Sequence, residues 1–277
     1  MVSMNKLDTA TRVQIVKCLI DGVGVNATCR ITGAAKNTIL KLLTELGEAC
    51  QTFHDEKVRG LTTKRVQCDE IWSFCHSKEK NVPAEHKGTL GYGDVWTFTG
   101  IDADTKLMIA WSVGFREATW ANNFMLDIAD RLIDRIQLTT DGHKVYLRAV
   151  QNAFGNDVDY MQLIKIYGPD RSSPIRYSPP ECIGVETKEI SGMPERAHCS
   201  TSFVERANLT MRMGMRRFTR LTLGFSKKIE NHKHAVALNF LHYNFVRIHQ
   251  TLRVTPAMEA GLTDHVWEFE EILALLK

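Results

Sequence analysis

The segment from residue 64 to residue 218 constrains the fold most, because strand and helix signals alternate along it in a definite order. Three segments rich in β-branched and aromatic residues come first: RVQCDEIWSFCH, VWTFTGIDA and KLMIAWSVGF. A helical pattern over 120–136, a strand IQLTTDG, a helical HKVYLRAVQNAF and a strand YMQLIKIYG follow. Three strands joined by hairpins, then helix, strand, helix and strand, predict an α/β domain with one mixed sheet.

The N-terminal residues 7–59 have helical periodicity instead. A short helical segment, 26–31, is followed by a glycine turn and a second periodic run, which is the layout of a helix-turn-helix unit. The outer side of the second helix would present polar residues to a DNA major groove. These residues are Lys36, Asn37, Thr38 and Lys41. The alternative is an ordinary three-helix bundle with no ligand.

The C-terminal part, from about residue 201, is again helical, and its charge is uneven. Residues 203–253 contain ten Lys or Arg against two Glu, a net charge of +8. Because the whole chain carries +3, the rest carries −5. A basic block on a slightly acidic body favours a surface that binds a polyanion. A solvated helix face would give the same composition.

Composition excludes several classes of protein. No stretch reaches the roughly 18 consecutive apolar residues of a membrane span. The N-terminal sequence also lacks the apolar core of a secretory signal, so we expect a cytoplasmic protein. The seven cysteines include no Cys-x-x-Cys pair, which argues against a structural zinc site.

Three carboxylates stand out as candidate site residues. Asp69 lies in the middle of an apolar strand, where a charge needs a partner or a metal. Asp141 ends a strand, and Glu205 begins a basic helix on which it shares one stripe with Arg212 and Arg216. Simpler explanations stay open: the neighbouring Glu70 could replace Asp69, a turn explains Asp141, and the helix dipole explains Glu205.

Carboxylates alone suffice for one kind of chemistry on phosphodiesters. Two Mg²⁺ ions about 3.5–4 Å apart stabilise the attacking and the leaving oxygen of an in-line displacement. Mg²⁺ prefers oxygen ligands, so neither His nor Cys is needed. Such a site would attract phosphate only when it is filled with metal.

Four motifs in order carry a resemblance to a known family: CDEIWSF, LTTDGH, TSFVERANLTMRMGMRRFTRLT and HYNFVRIHQTLRVTPAMEAG. They resemble the DDE-type transposases of small bacterial insertion sequences, which have an RNase H-like catalytic core. The resemblance implies that Asp69, Asp141 and Glu205 are the catalytic acids and that they coordinate two Mg²⁺ or Mn²⁺ ions. It also implies DNA contacts in the basic segment, and we expect these from Arg206, Arg212, Arg216, Arg217, Arg220, Arg247 and His249. Tyr243 and Asn244 match the same terminal motif.

The chain departs from this family at a few points. Some relatives carry a Cys-rich zinc-binding N-terminus, which is absent here, so recognition of the element's ends would depend on the helix-turn-helix. Ala207 and Gly214 stand where many relatives have other residues. Gly214 weakens a helix by about 1 kcal/mol relative to Ala. Neither change removes a catalytic acid.

We therefore expect an α/β protein with three parts: a helix-turn-helix domain at 1–60, an RNase H-like domain of mixed sheet and flanking helices at 64–250, and a helical tail at 251–277. Residues 168–200 hold most of the prolines and form an insertion, with a small hairpin at CIGVETKEISG. The expected function is transposition, with double-stranded DNA as partner, at the ends and at the target. We expect a homodimer or higher assembly near the nucleoid, with no membrane and no small-molecule substrate. A nuclease without strand transfer, or an inactive DNA-binding relic, remains the alternative.

Overall fold

Six strands form one mixed sheet in the computed structural model, which describes residues 7–168, 182–219 and 222–276. The strands are β1 (Arg65–Cys75), β2 (Gly93–Asp102), β3 (Met108–Gly114), β4 (Ile136–Asp141), β5 (Val158–Tyr167) and β6 (Cys182–Ser191). Their spatial order is β3-β2-β1-β4-β5-β6. The pairs β1–β4 and β4–β5 are parallel, and the pairs β1–β2, β2–β3 and β5–β6 are antiparallel. The predicted mixed sheet is confirmed, and it is consistent with the RNase H-like fold that the resemblance implies.

Helices pack on the sheet, and helical segments also precede and follow the strands in the chain. They are α1 (Thr9–Ile20), α2 (Val25–Thr32), α3 (Lys36–Lys57), α4 (Ala118–Arg131), α5 (Val145–Phe154), α6 (Ser202–Gly214), α7 (Ile229–Leu241), α8 (Pro256–Glu259) and α9 (Phe269–Ala274). Among these helices, none is both long and apolar enough to cross a membrane.

Two helix ends differ from the sequence prediction. The helix expected over 120–136 ends at Arg131, because Leu132 is extended and Ile136 already begins β4. The helix expected to run through the basic segment ends at Gly214, where Met215 turns into an extended conformation. Arg216 and Arg217 therefore lie in a short 3₁₀ turn beyond α6, so the predicted common stripe of Glu205 with Arg216 is wrong.

The segment expected to hold a small hairpin contributes a sheet strand instead. Its described part, from residue 182, forms β6, which pairs antiparallel with β5 along its length. The hairpin prediction is wrong because the partner of this strand is β5 rather than an adjacent segment. Four of the prolines that suggested a loop lie outside the described residues.

The long helix α3 packs closely along α7. Gly47 makes this approach possible, since a Cβ there would lie 2.3 Å from Cβ of His234. Further along α3, the buried His54 Nε2 donates to the carbonyl of Met108 on β3, at 3.1 Å. The helix thus reaches from the N-terminal segment to the sheet. The domain boundaries near residues 60 and 250 stay predictions.

A buried arginine joins α3 to α4. The side chain of Arg131 is 2% exposed, and its Nη2 lies 2.5 Å from Asp55 and 2.9 Å from Asp127. Its Nη1 donates to the carbonyl of Val58 at 3.2 Å. Two carboxylates and a backbone carbonyl thus accept hydrogen bonds from the guanidinium, and the carboxylates compensate its positive charge.

Asn244 supports the outer strand of the sheet. Its side chain accepts from the Met108 amide and donates to the Met108 carbonyl, both at 2.9 Å. Asn244 and Tyr243 are buried in a π-helical turn that follows α7. Their match to the terminal motif therefore has a structural explanation.

Candidate active site

Strands β2 and β3 lie on one side of β1, whereas β4, β5 and β6 lie on the other, so the strand order switches between β1 and β4. A crevice opens at this switch point, at the carboxyl end of β4. The pairing of these two parallel strands stops at Cys68 with Thr140. Asp69 and Asp141 follow immediately, so they meet at the point where the sheet parts. Carboxylate oxygens of Asp69, Glu70 and Asp141 all lie within 4.8 Å of one another.

The carboxylate of Asp69 is held by α6. Asn208 Nδ2 donates to Asp69 Oδ2 at 3.0 Å, and Asn208 Oδ1 accepts from the Thr99 hydroxyl at 3.0 Å. Burial, together with the nearby charges of Asp141 and Glu205, raises the pKa of Asp69 to about 6. The site therefore disfavours the charged form of Asp69, although it brings several carboxylates together.

Glu70 approaches the same cluster from the other side of β1. Its side chain is 1% exposed, and Oε2 lies 3.3 Å from Nη2 of Arg116. Burial and the charge of Asp141 raise the pKa of Glu70, against the opposing effect of Arg116. The two adjacent acids thus both reach Asp141, although side chains of neighbouring strand residues point to opposite faces.

Asp141 is oriented by its own turn. Its Oδ1 accepts from the His143 amide at 3.0 Å, and its backbone carbonyl accepts from Gln162 Nε2 at 3.1 Å. Its Oδ2 lies 3.5 Å from Nη2 of Arg116. A turn hydrogen bond and a place in the acidic cluster are therefore compatible for this residue.

Glu205 lies on the wall of the same crevice but outside the cluster of three carboxylates. Its Oε1 lies 2.6 Å from Nζ of Lys165 on β5 and accepts from the Thr201 hydroxyl at 2.5 Å. The start of α6 is fixed by Gln67, whose Oε1 accepts from the amides of Phe203 and Val204. The crevice has a volume of about 510 Å³ and brings Asp69, Asp141 and Glu205 to one space.

The donor set suits a hard divalent cation. Arg116 pairs with two of the three clustered carboxylates, Glu70 and Asp141, so the cluster keeps excess negative charge. Buried carboxylates without full compensation are costly, and a bound cation would offset that cost. Oxygen-only ligands are those that Mg²⁺ and Mn²⁺ take in proteins.

Two basic residues of the crevice, Arg116 and Lys165, were missed by the sequence analysis. Arg116 follows β3 directly, and its guanidinium stacks on the ring of Trp96 at 4.6 Å. Lys165 lies in β5, within a strand that the sequence did predict. The signal that could have found Lys165 is its place in a strand adjacent to the one that ends in Asp141.

The residues predicted to contact DNA belong to two parts of the chain, the start of α3 and the basic segment. At the start of α3 the side chains are all exposed, and they are Lys36, Asn37, Thr38 and Lys41. In the basic segment Arg206, Arg216 and Arg247 are exposed, whereas Arg212, Arg217 and His249 are half-buried. Arg220 lies outside the described residues. Their role in DNA binding stays a prediction.

Comparisons with known proteins give distant likenesses. No known family matches the sequence, and no curated protein matches it. One similar solved structure is a piggyBac transposase synaptic complex with hairpin DNA, at 10% identity and a TM-score of 0.38, covering 100% of this chain and 73% of that one. Another is the Mos1 strand transfer complex, at 11% identity and a TM-score of 0.25, covering 58% of this chain and 60% of that one. At these TM-scores, the assignment of function depends on the site.

Proposed function

We propose that the protein is a DDE-type DNA transposase of an insertion sequence, with an RNase H-like core. One observation carries the proposal. Asp69 and Asp141 meet beyond the paired ends of β1 and β4, and Glu205 faces them across the same crevice. These are the three residues that the motifs CDEIWSF, LTTDGH and TSFVERANLT identify as the catalytic acids.

Asp69, Asp141 and Glu205 would hold two Mg²⁺ or Mn²⁺ ions, which would supply activation of the attacking group and stabilisation of the leaving oxygen. Asn208 keeps the Asp69 carboxylate directed into the crevice. Lys165 pairs with Glu205 and would move to a DNA phosphate when that carboxylate takes up a cation. Arg116 would make a similar exchange from Glu70 and Asp141 to the scissile phosphate.

The substrate would be double-stranded DNA. In this proposal the exposed residues at the start of α3, including Lys36 and Lys41, read the ends of the element, and the basic segment contacts phosphates. Water would cleave at the element's end, and the freed 3′-hydroxyl would then attack target DNA. Joining two ends calls for at least a homodimer, acting at the nucleoid in the cytoplasm.

The test uses three isosteric variants: Asp69→Asn, Asp141→Asn and Glu205→Gln. Each should lower Mg²⁺-dependent cleavage and strand transfer by at least about 10³-fold, because each removes a charged metal ligand. Binding to the same duplex should stay near the unaltered level. Lys57→Ala, an exposed change at the end of α3, is the control for both measurements.

The same assay separates the other hypotheses. Glu70→Gln distinguishes the adjacent acids: full activity in this variant assigns the metal to Asp69, and full activity in Asp69→Asn would instead assign it to Glu70. Cleavage without joined products would identify a nuclease. Sequence-specific binding with no metal-dependent product would identify an inactive relic.

A further inference from the structure

A second cleft, of about 750 Å³, lies between the N-terminal helices and the connection from α6 to α7. We call it the basic groove. Its charged lining residues are Arg30, Lys36, Arg216, Arg217, Lys227 and Lys228, and no Asp or Glu of the described residues lines it. Six cations without a lining carboxylate give a strong local positive potential. Two acids are adjacent to lining residues along the chain, Asp21 beside Gly22 and Glu230 beside Asn231, and both lie outside the lining.

One of these cations lacks an anionic partner. The Nε of Arg217 is buried and has no hydrogen-bond partner in the described part of the chain, which also gives this side chain no ion pair. Burial lowers the pKa of Arg217 to about 10, so the guanidinium stays charged at neutral pH. A guanidinium whose Nε is buried and unpaired is costly unless an anion comes to it.

The N-terminus of α2 opens into the same groove. Its N-cap residue is Gly24, and no side chain caps the helix. Gly24, Val25 and Asn26 line the groove together with Arg216 and Arg217, so the positive end of the helix lies at the same cleft as the arginines. A helix N-terminus attracts anions through these amides and through its dipole.

The lining of the groove also includes apolar side chains, Leu19, Leu40 and Phe225 among them. A lining that combines basic and apolar side chains fits a polymer that alternates charged and less polar groups. The phosphates and sugars of a nucleic acid backbone have that alternation, whereas a free phosphate ion would leave the apolar side chains uncovered.

We propose that the basic groove binds the phosphodiester backbone of duplex DNA at a distance from the catalytic crevice. This inference rests on the proposed function. Arg216 follows the end of α6, and Glu205 lies in the first turn of that helix. The nine helical steps from Glu205 to Gly214 span about 14 Å at 1.5 Å per residue. The bound phosphates would therefore lie about four base pairs from the scissile one, at 3.4 Å per base pair.

The groove would also connect DNA recognition by α3 with catalysis at the crevice. Arg30 and Lys36 belong to the N-terminal helices, whereas Lys227 and Lys228 precede α7. One backbone held by both groups would place the DNA read by α3 in a fixed relation to the crevice. Arg30, Lys227 and Lys228 were not among the DNA contacts expected from the sequence.

The experiment compares two triple variants of the full chain with equal loss of charge. The groove variant is Arg30→Ala/Lys227→Ala/Lys228→Ala, and the control is Lys57→Ala/Lys64→Ala/Arg148→Ala, whose residues are exposed and outside the groove. Fluorescence anisotropy with a labelled 30-base-pair duplex (about three helical turns) is measured over a range of salt. The groove variant should bind about 10- to 100-fold more weakly at 0.1 M salt, and its salt slope should shrink by about 2 to 3. The control should bind as the unaltered protein does.

Several outcomes would overturn the proposal. Equal losses in both triple variants would mean that only net charge matters, and unchanged binding of the groove variant would mean that DNA does not reach it. Competition by low millimolar inorganic phosphate would identify a small-anion site instead. The charge-preserving variant Lys227→Arg/Lys228→Arg should keep the binding, and a matching thermal transition of all variants excludes misfolding.

Failure of the proposed function is a separate result. Repeating the comparison in the Asp69→Asn background measures binding without cleavage, so the groove effect should persist there. A groove effect in a protein that never cleaves DNA supports the groove and rejects the transposase. Mg²⁺-dependent cleavage with normal binding of the groove variant supports the enzyme and rejects the groove.

Discussion

Two charged clusters among the described residues differ in how far their charge is compensated. At the junction of α3 and α4, the guanidinium of Arg131 meets Asp55 and Asp127 at 2.5 and 2.9 Å. At the crevice, Arg116 pairs with two of three clustered carboxylates, Glu70 at 3.3 Å and Asp141 at 3.5 Å. Both clusters connect separate elements of the fold, but the second keeps the larger excess of negative charge and lines a crevice open to solvent.

The pKa values of the acids reflect this difference. Burial raises the pKa of Asp55, but hydrogen bonds from its neighbours, Arg131 among them, outweigh burial and hold that pKa well below its ordinary value. Burial raises the pKa of Asp69 to about 6, and the neighbouring acids add to the increase. The first cluster is stabilised as it stands, and the second needs a cation. The degree to which neighbouring groups compensate a charge thus distinguishes the structural cluster from the functional one.

The largest effect should follow from removing the compensating charge of the first cluster. Arg131→Met leaves Asp55 and Asp127 without their partner and should lower the free energy of unfolding by about 3 to 5 kcal/mol. Urea denaturation measures this difference. Adding Asp55→Asn to the variant should recover part of the loss. A loss below about 1 kcal/mol would mean that the arginine cluster is not structural.

The corresponding change in the crevice should have the opposite sign. Asp69→Asn removes a buried charge that its neighbours disfavour, so the metal-free protein should become more stable at pH 8 by about 1 to 3 kcal/mol. Mg²⁺ should raise the stability of the unaltered protein and of Arg131→Met, but not that of Asp69→Asn. Thermal unfolding with EDTA and with Mg²⁺ gives both values. Destabilisation in EDTA would show that the Asp69 charge is compensated after all.

The pH dependence sharpens the same contrast. An acid with a raised pKa in the folded state costs no stability below its unfolded pKa, near 3.8. Its cost grows as pH rises from that value and levels off above the folded pKa of about 6. The advantage of metal-free Asp69→Asn should therefore fall to about a third of its plateau value at pH 4.5, and it should reach the plateau above pH 7. Buried histidines, such as His232, titrate alike in both proteins and cancel in the difference. An advantage independent of pH would reject the assigned cause.

The sequence predicted the acidic cluster better than its surroundings. Asp69 and Asp141 were found because a charge inside an apolar strand and a charge at a strand end are local signals. The partners of these acids depend on alignment between distant strands. Arg116 reaches the cluster from the end of β3, and Lys165 from β5, so neither could be recognised from spacing along the chain.

Helix ends and edge strands were the other source of error. The basic segment keeps helical periodicity past Gly214, yet α6 stops there, because the next residue is extended. The strand β6 follows a proline-rich stretch, and its partner lies outside its own segment. Arg131 gave no signal either, since an arginine in the last turn of a helix usually faces solvent. The order and type of the main elements follow from the local sequence, whereas charge compensation depends on tertiary contacts between residues that are distant in the chain.

The smallest effect should come from an exposed ion pair beside the first cluster. Arg59 pairs with Asp130, which neighbours Arg131, but the two side chains are 37% and 75% exposed. Solvent screens such pairs, so Arg59→Ala should lower the free energy of unfolding by about 0.5 kcal/mol or less. Urea denaturation under the conditions used for Arg131→Met allows the two losses in the free energy of unfolding to be compared. Because the two arginines meet acids of the same kind within one small region, a similar loss from both variants would mean that burial does not determine the value of a charge here. The contrast between a structural and a functional cluster would then have no physical basis.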